Sequence, residues 1–240
     1  NFGDENGAIT ALRDCGVPIF IQAYPDEMNK MDNAHRRDAF CGKMSIMDVF
    51  YQYGLKFTNL IPHVVHPKSA DFARNIEEFA ATCRVVKRLR RINIGAIGAR
   101  TTAFKTVRFD EIALQRKGVN TETIDLSEVL ARINGMGDSD ALVKERLASL
   151  KKASNCSCVP ELSMKNMAKL GIVLDQLIEE YQMGAVAIRC WIELEKSLRV
   201  APCLLMGVLN ERGVPASCEM DVCSSLMMTA LSAASDSPAV

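Results

Sequence analysis

Residues 92–124 read INIGAIGARTTAFKTVRFDEIALQRKGVNTETI, and the fold class turns on how that stretch is parsed. INIGAI is a short β-rich apolar run, and Gly98-Ala99-Arg100-Thr101-Thr102 forms the loop at its end. Phe104 to Arg116 reads as a helix stopped by Gly118, and Val119 to Ile124 as a second strand. Two strands joined through a helix are a parallel pair with a crossover. The alternation continues downstream. Asp125-Leu126-Ser127-Glu128 opens a helix with a capping pattern, and residues 139–153 and Leu162–Tyr181 read as amphipathic helices. Gly184–Ile188 reads as a strand, Cys203–Val208 as another and Pro215–Cys218 as a short one, before a final helix over Cys223–Ala234.

Upstream the same logic gives a buried parallel strand over Val17–Ala23 and a helix over 41–53 that stops at Gly54. A β-like stretch follows over Asn59–Val65, and a long helix runs over Ser69–Arg90 with Phe72, Ile76, Phe79, Cys83, Val86 and Leu89 on its apolar face. The expected architecture is α/β, with two consecutive Rossmann-like domains of parallel sheets flanked by helices. Residues 1–90 read as the C-terminal part of a first domain and 91–240 as a second. Both chain ends, Asn1-Phe2-Gly3 and Pro238-Ala239-Val240, read as cuts through something larger, with a C-terminal domain absent.

Composition narrows the function. The 240 residues carry 29 Lys+Arg against 29 Asp+Glu. That balance lacks the positive surplus that phosphate backbones demand and argues against nucleic acid as a partner. No apolar run of bilayer-spanning length occurs, so no membrane association is expected. Nine scattered cysteines, an odd number, fit reduced thiols in the cytoplasm better than a disulfide framework. Cys190, Cys203 and Cys218 lie in strand-like segments, where a thiol behaves as a small hydrophobe.

Few residues carry chemistry. Gly95-Ala96-Ile97-Gly98 only partly matches a dinucleotide loop. His63 and His66 share no helical face, which weakens a metal-pair reading. His35-Arg36-Arg37-Asp38 opens the helix over 41–53 as either a solvated approach or a loop that binds an oxygen-rich ligand or a neighbouring subunit. Trp191 and Arg189 sit at a strand end, where an aromatic face beside a cation orients sugar rings or merely packs. Glu219 and Asp221 in CEMDV place two carboxylates where the last short strand ends. They either hold a hard divalent cation or cap the helix that follows.

The ordered segments together resemble the L-fucose isomerase and L-arabinose isomerase superfamily, closest to the L-fucose isomerase-like proteins. The matching pieces are NFGDE at 1–5, VPIFIQAYPDE at 17–27, HRRDAFCG at 35–42, HP at 66–67, IGARTTAF at 97–104, TIDLSEV at 123–129, RCWIELE at 189–195 and PASCEMDVCSSLM at 215–227. The resemblance implies an intracellular aldose–ketose isomerase that works through an enediol with a divalent metal, usually Mn²⁺. On that pattern Glu219 is both a metal ligand and the acid/base group, Asp221 supports it, and Arg189 and Trp191 lie near the sugar. A second carboxylate and a His ligand would lie beyond Val240, so residues 1–240 alone are expected to be inactive. The resemblance further implies self-association, a hexamer in the complete protein, with one subunit's first domain covering another's site. A non-catalytic sugar-binding α/β protein is the alternative, and a nucleotide-dependent oxidoreductase using Gly95–Gly98 a third reading.

Overall fold

A computed structural model describes residues 5–239. The chain divides into two compact units, the second beginning at Arg84. The division falls inside a 20-residue helix.

In the N-terminal unit, α1 (Glu5–Leu12) packs with α2 (Ala39–Gln52), and α3 begins at Ala70 and ends at Leu89. A small core gathers Ile9, Ile21 and Phe50, with Ile46, Leu55 and Phe57 against it. The two expected strands form only isolated parallel bridges, Phe20 to Thr58 and Ala23 to Val64. The parallel direction matches the expectation, but the ladder does not form. Pro62 has no amide hydrogen to give, and Gln22 ties the two segments instead by donating through Nε2 to the carbonyls of Pro62 and His63, both at 2.9 Å. The apolar stripe of α3 is less covered than its spacing predicts, Ile76 and Val86 both being exposed.

The second unit is a parallel sheet of β1 (Ile92–Ile97), β2 (Val119–Ile124), β3 (Met183–Ile188) and β4 (Ala216–Cys218), in the order β2-β1-β3-β4. Strand β1 pairs with β2 over its whole length, Ile92 opposite Val119 and Ile97 opposite Ile124. The crossovers are α4 (Glu111–Gln115) between β1 and β2, α5 (Leu126–Asn134), α6 (Ala141–Ala153) and α7 (Glu161–Glu180) between β2 and β3, and α8 (Glu193–Leu198) and α9 (Cys203–Glu211) between β3 and β4. Helix α10 (Val222–Ser235) follows β4.

Alternation along the strands sorts two cores. Ile97, Val186 and Ile188 join Leu170, Val173, Leu174 and Leu177 of α7 and Leu205 and Leu209 of α9. Ile92, Ile94, Ala96, Ala185 and Ala187 face the other way, toward Leu114 and Val222. The result is a three-layer α/β/α unit.

Two elements depart from the sequence reading. Cys203–Val208 belongs to a helix, not a strand. Six apolar residues cannot separate the two states, but Leu205, Met206, Leu209 and Asn210 are the buried positions, which is helical spacing, and two parallel strands need such a crossover. The helix expected over Phe104–Arg116 is split, because Asp110 Oδ1 accepts from Ala113 N at 2.9 Å and starts α4 there. Among the described residues, no helix is long and apolar enough to cross a membrane.

Candidate functional site

From β1 the chain moves outward to β2, then returns to place β3 on the opposite side of β1. Crossover helices therefore leave β1 and β3 in opposite directions, and a crevice opens at their carboxyl ends. Three loops of the second unit converge on it: Gly98–Thr102 after β1, Arg189–Ile192 after β3 and Glu219–Asp221 after β4.

Glu219 is the meeting point. Thr101 Oγ1 donates to Glu219 Oε2 at 2.9 Å, and Cys190 Sγ donates to Oε1 at 3.0 Å. Each loop thus contributes one member. Both donors are side chains, so Glu219 is not folded back onto the amides of α10. Each of its oxygens keeps acceptor capacity beyond the bond it makes, and the residue is only half-buried. Burial first, then the contact with Glu219, pushes the Cys190 thiol up to about 12. It therefore stays protonated, as its donor role requires, throughout the neutral range.

Asp221 does the capping. Its Oδ1 accepts from Ser224 N at 2.9 Å, and its Oδ2 from Ser224 Oγ at 2.8 Å. The two carboxylates of CEMDV are thus set apart: one faces side chains of neighbouring loops, the other starts a helix.

The loop backbones are strained where they meet. Glu219 and Met220 are consecutive left-handed residues, at φ 59° and 60°, and Ile192 sits at φ 73°. For L-residues the left-handed region costs on the order of 1–2 kcal/mol each, and for a β-branched residue it is a true outlier. Such strain persists only where its surroundings hold it. Below the Glu219–Met220 turn, the Ser217 and Ser225 hydroxyls lie 2.6 Å apart and reach the carbonyls of Asp221 and Val186, each at 2.6 Å. Gly98, at φ 85°, also leaves room for its neighbour, since a Cβ there would lie 2.9 Å from Arg189 Cβ. Arg100 wraps its own loop, its Nη1 donating to the carbonyls of Thr101, Thr102 and Phe104.

Arg189 and Trp191 border the same crevice. The Trp191 ring stacks on Phe104 with centroids 5.1 Å apart and 24° between planes, yet 45% of the residue stays exposed. Arg189 pairs with Glu193 at 3.5 Å, while its Nε is buried without a partner. The sequence reading missed Thr101 and Cys190 as members of the site. Their one available signal is position, each lying a few residues past the end of a strand that flanks the switch in strand order.

Other candidates dissolve into local structure. Gly95 lies within β1 against Met183, where a Cβ would come 2.3 Å from the sulfur. No helix opens directly after Gly98, since α4 starts only at Glu111, so the phosphate cradle of a dinucleotide loop is missing. Nor do the histidines gather. His35 bonds Asp32 at 2.8 Å, His63 Nδ1 lies 3.3 Å from Asn59 Oδ1, and His66 Nε2 lies 3.2 Å from the Tyr24 hydroxyl. All nine cysteines are free thiols. Among the described residues, no three His, Cys, Asp or Glu side chains are grouped so as to hold a metal ion; Glu219 offers one hard carboxylate ligand beside a thiol.

Part of the chain is similar to known proteins. Residues 1–90 match the family model described as fucose/sulfoquinovose isomerase, N-terminal domain. Of the NFGDE motif within that stretch, only Glu5 lies among the described residues. A sulfoquinovose isomerase of Alkalicoccus urumqiensis is 25% identical over 164 residues, 68% of this chain and 37% of that protein. Sulfoquinovose isomerases of Priestia aryabhattai and Priestia megaterium are each 26% identical over 146 residues, 60% of this chain and 32% of the relative. The chain therefore spans about a third of the length of the curated relatives it matches. Over the part of its length that these comparisons cover, the chain is similar to the fucose isomerase-like family.

Proposed function

We propose that this chain is the part of an aldose–ketose sugar isomerase that carries one of its proton-transfer groups, Glu219. The observation that supports this most directly is the carboxylate held from both sides by Thr101 and Cys190 at the open end of a parallel sheet. Isomerisation moves a proton between the two carbons that share the carbonyl, by way of an enediol. A carboxylate can take that proton as base and return it as acid, provided it is oriented and within reach. Two fixed donors orient Glu219 and leave it acceptor capacity for the proton. Trp191, stacked on Phe104 and partly exposed, offers an apolar face to a sugar ring, and Arg189 an unused donor to its hydroxyls.

A divalent cation, Mn²⁺ above all, belongs to this reading. When bound, it would polarise the sugar's oxygens. Glu219 is the one described residue here suited to hold it, and its remaining ligands would come from outside residues 5–239. Self-association and a cytoplasmic setting belong to the reading as well. The names of the relatives make sulfoquinovose the first substrate to try, beside L-fucose and L-arabinose. The alternative is a sugar-binding protein without turnover.

The deciding experiment measures aldose–ketose interconversion by the complete protein, with and without Mn²⁺, for the wild type and Glu219→Gln. Loss of a positioned acid/base group costs roughly 10²–10⁴ in kcat, and the thermal unfolding of the variant should stay close to wild type. Full turnover by Glu219→Gln would overturn the assignment. Sugar binding without turnover by the wild type would favour the alternative.

A further inference from the structure

The N-terminal unit holds a buried cation whose charge no carboxylate among the described residues balances. Lys43, on the second turn of α2, is only 4% exposed. Its Nζ donates to the carbonyl of His63 at 3.0 Å, and no carboxylate among the described residues lies within ion-pair distance of it. Burying an ammonium without a counter-charge is costly, and lysine is seldom so enclosed unless paired.

The neighbouring charges are already engaged. Arg37 sits over the Tyr24 ring at 4.7 Å and pairs with Glu27 at 3.3 Å. The two oxygens of Asp26 accept from Arg37 N at 3.1 Å and from Ala39 N at 3.0 Å, which caps the start of α2. Beside Lys43, Gln22 Nε2 bonds the same His63 carbonyl as Nζ does. Its second bond, to Pro62 O, fixes the amide and leaves Gln22 Oε1 buried with no partner. Both side chains line a cavity of about 220 Å³, together with Ile21, Tyr24, Arg37 and Gly42. That is smaller than the roughly 300–1,000 Å³ of sites enclosing drug-sized ligands, so a small molecule or a single substituent is the fitting occupant.

We propose that this cavity binds a small hydroxylated monoanion, its negative oxygens on Lys43 and a hydroxyl donated to Gln22 Oε1. One uncompensated positive charge calls for one negative charge, and an orphaned acceptor calls for a donor that an anionic oxygen cannot supply. A sulfonate, phosphate ester or carboxylate on a polyol carries both features. The inference uses residues of the N-terminal unit only and does not depend on the role given to Glu219.

Isethionate (2-hydroxyethanesulfonate) is the minimal probe. Ethanesulfonate lacks its hydroxyl, ethylene glycol lacks its charge, and glycolate replaces the sulfonate with a carboxylate. Titrating each into the full chain by NMR should give saturable shifts at the amides of Ala23, Gly42 and Lys43, strongest for isethionate or glycolate and absent for ethylene glycol. Whichever anion wins distinguishes the two head groups. Lys43→Met should weaken binding of the anions by about tenfold or more, the scale of a hydrogen bond to a charged group. Gln22→Leu should erase the advantage of isethionate over ethanesulfonate. The proposal fails if wild-type shifts do not saturate or lie elsewhere, if ethanesulfonate matches isethionate, or if a folded Lys43→Met variant binds as well as wild type. The wild-type comparison of ligands decides the matter even if a variant does not fold.

Discussion

The two units solve the same problem with different materials. In the second, two central strands are enclosed between helical layers, and Ile94, Ala185, Val186, Ala187 and Ile188 are wholly buried. There the backbone ladder and apolar burial carry the stability. In the first, three buried apolar residues form the core, and the loops are tied by polar side chains reaching main-chain groups: Gln22 and Lys43 to His63, Asp26 to residues 37 and 39. Hydrogen bonds of that kind are individually worth about 1 kcal/mol net and open singly, whereas a packed sheet opens as a unit. The difference teaches where each unit can tolerate change. The second is sensitive to volume, the first to the loss of a specific donor or acceptor.

Native-state hydrogen exchange should separate them most widely. Amides of β1 and β3 are expected to exchange only through global opening of their unit, and those between residues 17 and 66 by local opening, faster by orders of magnitude. Equal protection would erase the comparison. Next in size is Leu174→Ala, which removes a fully buried side chain of α7 and should cost roughly 2–5 kcal/mol in urea unfolding. Asp26→Ala, which deletes the side chain that starts α2, should cost about 0.5–2 kcal/mol and show chiefly as faster exchange at residues 37–43.

Thiol chemistry provides a smaller and more local test. Cys190 is driven up to about 12 by burial and by Glu219. Because the thiolate is the reactive form, alkylation at pH 8 should leave Cys190 unmodified while the exposed Cys41 and Cys158 react. Rapid labelling of Cys190 in the native protein would contradict the enclosed geometry around Glu219.

The same contrast governs how much the sequence discloses. Strands β1 and β2 are legible to the residue, since Gly98 ends the apolar run of β1 and Gly118 precedes the β-rich stretch of β2, and α7 is legible from its long apolar periodicity. Gly118 shows why such boundaries are sharp, since at φ 90° a Cβ would lie 2.1 Å from the Arg90 carbonyl. The short elements are not legible. Cys203–Val208 is too brief for its period to declare itself, and Asp110 divides what reads as one helix. In the first unit, strand-like composition at 17–23 meets a proline on the partner segment and yields bridges instead of a ladder. Glu219 is legible as a carboxylate at a strand end. Its separation from Asp221 is not, because both satisfy the same local pattern and only the left-handed turn between them decides which one faces the crevice. Thr101 and Cys190 lie 118 and 29 residues from Glu219 in sequence, and strand order alone brings them to it.

That turn also bears on how the molecule can be altered. A Met220→Gly replacement would relieve a conformation worth about 1–2 kcal/mol, offset in part by the greater freedom glycine gives the unfolded chain. The same replacement would slacken the carboxylate next to it, so on the role proposed for Glu219 a sturdier protein would come with a slower catalyst. Position 220 is thus where robustness and turnover would be traded against each other, one residue away from the carboxylate proposed to carry the proton.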